Sequence, residues 1–116
     1  MRVIKARQKI TLTEIEEMAG KMFGDLVKGV IDIEKEIIAL DTEMHVDEEV
    51  LLLEQGSGQG DLWGINLYPE LYGSDDFIEF DSMINLRPSQ NNRSRGVESK
   101  EIQTRIRKII EKVIKK

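Results

Sequence analysis

The sequence predicts a single α+β domain over residues 1–116: a two-layer sandwich in which an antiparallel four- to five-stranded meander carries an N-terminal and a C-terminal helix on one face. Three observations predict it. Two segments near the ends repeat apolar residues at helical spacing, at Ile15, Met18, Ala19, Met22, Phe23 and Leu26, and at Ile102, Ile106, Ile109, Ile110 and Val113. The stretch between them is rich in Ile and Val and broken by Gly and Pro, the pattern of strands and turns. At 116 residues the chain is long enough to bury a core without disulfides, and it has no Cys with which to form them.

Taken in order, Arg2–Lys5 reads as a short edge strand. The first helix starts at Thr11, an N-cap with Glu14 completing a capping box, while Ile10 and Ile15 make a hydrophobic staple. Gly24 is placed to stop it. Val27–Ile33 and Glu36–Leu40 read as strands with Glu34-Lys35 turning between them. Met44–Glu54 reads as a third strand running into the glycine-rich Gln55–Asp61, which is a hairpin connection rather than a phosphate loop because no helix follows it. Leu62–Tyr68 is the fourth strand, stopped by Pro69, and Phe77–Leu86 the fifth, stopped by Pro88. The last helix runs from about Ser99 to Ile114. Both helices then share one sheet face and leave the other open.

Composition narrows the function classes. Hydrophobic residues make up 40% of the chain and charged ones 34%, a globular balance. The absence of Cys excludes thiolate metal sites and Cys nucleophiles, and with no signal peptide the chain reads as cytoplasmic. No apolar run is long enough for a membrane span. No phosphate-loop, dinucleotide-binding, zinc or nucleophile motif is present. The net charge of −5 hides an asymmetry: residues 1–86 hold 7 Lys and Arg against 19 Asp and Glu, whereas residues 87–116 hold 10 against 3. A basic end on an acidic body either neutralises that body or attracts anions.

Strand parity on the open face sets out one candidate site. His45, Asp47 and Glu49 share a side of the third strand, and Glu79 and Asp81 share a side of the fifth. If the strands are close, His45, Asp47, Glu79 and Asp81 form a carboxylate–histidine set suited to a divalent cation. The plainer alternative is a solvated polar face. Trp63 reads as core, with Gly64 making room beside it.

The segment Arg87-Pro88-Ser89-Gln90-Asn91-Asn92-Arg93-Ser94-Arg95-Gly96 is more pointed. Arg87, Arg93 and Arg95 are three fixed positive forks, and Ser89, Asn91, Asn92 and Ser94 are hydrogen-bonding side chains among them. A helix N-terminus follows within a few residues. These are the parts needed to hold a phosphate, sulfate or carboxylate. The competing reading pairs the same arginines with the protein's own carboxylates.

Several stretches together, His45-Val46-Asp47-Glu48-Glu49, Leu62-Trp63-Gly64-Ile65-Asn66-Leu67-Tyr68-Pro69 and the block from Asp81 to Val97, resemble an uncharacterised prokaryotic family, domain of unknown function 5674. The resemblance spans nearly the whole chain and is most specific in the Arg-rich block. It implies a compact single domain and brings no activity, cofactor or site residue with it.

Three functional readings follow. The first is a binding protein for an anionic, phosphate-bearing ligand, either a small molecule or nucleic acid, gripped by the Arg-rich segment. The second is a metal-dependent enzyme acting on a phosphorylated small molecule, with a divalent cation on the carboxylate–histidine set. The third is a protein–protein module that docks a partner on its open sheet face or edge strand.

Overall fold

The computed structural model describes residues 1–116, from Met1 to Lys116. Its centre is a five-stranded antiparallel sheet made of β1 (Arg2–Ile4), β3 (Val27–Asp32), β4 (Ile37–Leu40), β5 (Leu62–Leu67) and β6 (Ile78–Glu79). Their spatial order is β1-β4-β3-β5-β6. A separate parallel pair joins β2 (Ile10–Thr11) to β7 (Ile114–Lys115), tying the chain's beginning to its end. The helices are α1 (Leu12–Lys21), α2 (His45–Glu54) and α3 (Lys100–Val113).

The end helices form as their signals predict. Thr11 accepts from the Glu14 N–H at 3.1 Å, and the Glu14 carboxylate accepts from the Thr11 N–H at 2.8 Å. Ser99 caps α3 by accepting from the Ile102 N–H. Both helices bury apolar residues on one sheet face, but α1 ends at Lys21, short of Met22, Phe23 and Leu26, and leaves Met22 and Phe23 of the expected stripe exposed. Ile15, Met18 and Ala19 of α1 and Ile106, Ile109, Ile110 and Val113 of α3 pack there with Ile31, Ile38, Trp63 and Ile65. The register explains the sharing: Ile31 lies opposite both Ile38 and Trp63, so all three point the same way.

Two expectations change. Met44–Glu54 is not a third strand: from His45 onward it is α2, which lies over the sheet face expected to be open. Leu52 fills a small cluster there with Val30, Ala39 and Leu62. Local chemistry favours the helix, because Glu and Leu dominate the segment and Asp47 and Glu48 sit in a first turn where the dipole stabilises carboxylates. Gly56, with φ +97°, follows its end.

The fifth strand is also much shorter than Phe77–Leu86. It pairs with β5 only at Ile78 and Glu79, and the chain then enters 3-10 turns at Met83–Asn85 and Pro88–Gln90. The edge of β5 left bare at Gly64 is satisfied by a side chain. Asn85 accepts from the Gly64 N–H at 2.8 Å and donates to its carbonyl at 3.0 Å, imitating a strand neighbour. Gly64 is required because a Cβ there would collide with the Ser82 side chain.

Candidate functional site

Helix geometry makes α2 unusual. His45, Glu48, Glu49 and Leu52, spaced at i, i+3, i+4 and i+7, form its buried face, and three of the four are ionisable. His45 donates from Nε2 to the Ile65 carbonyl at 2.8 Å, since a carbonyl can only accept. Burial lowers its pKa, partly opposed by that bond, so the ring is neutral. Glu48 is 0% exposed, and neither carboxylate oxygen has a partner at full hydrogen-bond geometry, although Thr42 lies near enough to oppose the effect of burial. Burial pushes its pKa up to about 9, so it is a protonated acid at neutral pH. Glu49 is raised by burial too, against the pull of the Arg87 guanidinium.

The outer side of the same helix is apolar. Val46, Val50 and Leu53 lie at i, i+4 and i+7, within a sector of roughly 60° at about 100° per residue, next to the sector holding Glu49. On the Glu49 side α2 faces Arg87, and the helix touches the turn at Met83–Asn85 that precedes Arg87. Met44, Val46, Val50, Leu53, Met83 and Leu86 are each between 37% and 62% exposed. Beyond the stripe, Asp47 and Glu54 point to solvent, and with exposed Glu43 they have no ion-pair partner. Polar residues inside and apolar residues outside reverse the arrangement of an ordinary surface helix.

The Arg-rich segment is knitted into the fold. Arg87 donates to the carbonyls of Gln59 and Leu62 and to Gln90, and its guanidinium lies 4.3 Å from the centre of the Trp63 ring. Burial pulls its pKa down while Glu49 and Asp61 act against that. Arg95 bonds Asp81 at 2.7 Å. Asn92 is buried and donates to the carbonyls of Asn85, Ser94 and Gly96 while accepting from the Glu98 N–H. Ser94 accepts from the Gly96 N–H. Of the three arginines, Arg93 alone has a guanidinium with no hydrogen bond or ion pair; its backbone N–H donates to Glu98. Ser89 and Asn91 are exposed, and Asn91 takes the left-handed φ of +60° that closes the turn.

The carboxylate–histidine set is brought together in part: Asn66 bonds Glu79 and the Asp81 carbonyl, and both Asn66 and the Asp81 carboxylate act on the His45 ring, whereas Asp47 lies apart. No group of three or more His, Asp or Glu side chains is gathered for a metal. The expected parity depended on a strand at 44–54; in a helix, His45 turns inward and Asp47 outward. Glu79 accepts from Asn66 at 2.8 Å and Tyr68 at 3.0 Å, and Asp81 is held by Arg95. Glu79 helps to raise the Tyr68 pKa to about 12, after burial.

A family described as protein of unknown function (DUF5674) matches residues 3–113. The chain belongs to this family. No curated protein matches the chain. No solved structure matches it either. No helix is long and apolar enough to cross a membrane.

Reading the sequence by strand parity missed Glu48 and the stripe of Val46, Val50 and Leu53. A signal for them was present. The same residues read at helical period separate into Val46, Val50, Leu53 and His45, Glu48, Glu49, Leu52, with the ionisable set as the cleaner face.

Proposed function

We propose that this protein is an interaction module that docks a segment of another protein on the outer side of α2 and the adjoining Met83–Leu86 turn. One observation carries the reading: α2 buries a carboxylic acid that lacks a full hydrogen bond while leaving Val46, Val50 and Leu53 in water. Burying Glu48 costs stability, and so does exposing the stripe. A helix held in that orientation serves a purpose beyond folding. The six exposed apolar side chains offer a patch on the order of 500 Å², the size at which surface patches on monomers are often functional.

The anionic-ligand reading has less support, because Arg87 and Arg95 are engaged within the chain. Arg93, Ser89 and Asn91 remain available to it.

The test is an NMR titration with an uncharged amphipathic helical peptide of Leu, Ala and Gln. Shift changes should concentrate at residues 44–54 and 83–86. The double change Val50→Gln with Leu53→Gln should abolish them without lowering the melting temperature. Shifts that persist in the variant, or that centre elsewhere, would refute the reading.

A further inference from the structure

We propose that the occupant of the α2 face is an amphipathic helix of another protein whose apolar stripe is rimmed by Lys or Arg. This rests on the docking reading above and adds the partner's chemistry to it. Val46, Val50 and Leu53 make an i, i+4, i+7 apolar ridge, the anchor spacing by which one amphipathic helix meets another. The Met83–Asn85 turn touches α2, and Met83 and Leu86 add exposed apolar side chains at that turn for a docked helix to reach.

Charge decides what borders that helix. Asp47 and Glu54 line the solvent side of the ridge, exposed Glu43 precedes the helix, and none of them is in an ion pair within the chain. Glu49 lies on the buried side of α2, where it faces Arg87 rather than the ridge. An acidic rim around an apolar centre attracts a basic rim and repels an acidic one.

The same rim argues against a second copy of this chain. A two-fold pairing of α2 with itself would bring the acidic Glu43, Asp47 and Glu54 of the two copies together, and the nearest cations are already occupied: Lys35 by the Gly56 carbonyl, Arg87 by the Gln59 and Leu62 carbonyls, and Lys28 beside the Phe23 ring. The patch, on the order of 500 Å², also falls short of the about 800 Å² per partner of a standard stable interface, and it suits a single docked helix. The chain's own basic helix, α3, is not the occupant, because its apolar stripe is buried in the core.

The experiment compares two synthetic helical peptides with the same leucine stripe, one flanked by lysines and one by glutamates, binding to the full chain by fluorescence anisotropy. The lysine peptide should bind at least about tenfold more tightly, and its advantage should shrink in high salt as the rim charges are screened. Asp47→Asn with Glu54→Gln, both at exposed positions, should narrow the gap while leaving the fold intact by circular dichroism. Equal binding of the two peptides would overturn the inference and leave the docking reading standing. If neither peptide binds, or Val50→Asp leaves binding unchanged, both fall. Concentration-dependent dimerisation in ultracentrifugation that is lost in Val50→Asp would overturn the inference in favour of a second copy.

Discussion

Glu48 makes the stability of the fold depend on pH. Its carboxyl has a folded pKa of about 9, raised chiefly by burial from the ordinary 4.5, and neither oxygen has a partner at full hydrogen-bond geometry. A raised pKa means that the folded state holds the proton more tightly than the unfolded state. The resulting stability is fully present below pH 4.5 and is lost progressively as pH rises towards 9. By pH 7 the loss attributable to this group is about 3 kcal/mol. Glu48→Gln keeps the shape without the titration. Urea unfolding of both proteins at pH 5 and pH 8 should show the variant gaining on the wild type as pH rises. Parallel pH dependences would contradict this account of Glu48. Asn85 makes a second residue-scale prediction. Its amide satisfies both the N–H and the C=O of Gly64 on an otherwise bare strand edge. Asn85→Ala should therefore cost about 2–4 kcal/mol in denaturant unfolding, and a loss below about 1 kcal/mol would mean the edge is satisfied some other way.

Among the elements, legibility tracked how well local rules agreed with tertiary placement. The start of α1 was legible because Thr11 and Glu14 satisfy each other's backbone N–H groups with no help from distant residues. Thr11→Ala should cost about 1 kcal/mol, read as a fall in thermal midpoint. The α3 stripe was legible because its apolar face is also its buried face. For α2 the same logic misled, since burial of Glu48 and Glu49 and exposure of Val46 and Val50 invert the usual correspondence. The Phe77–Leu86 run looked like one strand by composition. Ser82 instead accepts from the Ile84 N–H, and Asn85 bonds Gly64 side-on, so the ladder ends after two residues. Because the outer ridge of α2 adds little to the isolated fold, Val50→Gln with Leu53→Gln should hold or raise the melting temperature, whereas Leu52→Gln, at a fully buried position, should lower it sharply.

For the whole molecule, the charge asymmetry visible along the chain resolves in part into internal neutralisation, with three of the ten cations of residues 87–116 in ion pairs. Arg95 meets Asp81, Arg105 approaches Glu34, and Lys112 meets Glu36, each pairing the basic C-terminal part with the acidic body. That left the Arg-rich segment, the sequence's most pointed feature, mostly engaged by carbonyls, Trp63 and buried amides. No count of charges could reveal this, because the partners at Gln59, Leu62 and Asp81 come from distant turns and strands. The unengaged surface lies instead on α2. The lack of cysteine allows single thiols to be placed at will and to report exposure one position at a time. The most direct measurement is the rate of thiol modification of Val50→Cys, Leu52→Cys and Glu111→Cys proteins, with and without the lysine-rimmed helical peptide. Val50→Cys and Glu111→Cys should react at least about tenfold faster than Leu52→Cys, and the peptide should protect only Val50→Cys. A Val50→Cys thiol as shielded as the one at position 52 before any peptide is added, or equal protection at position 111, would contradict this.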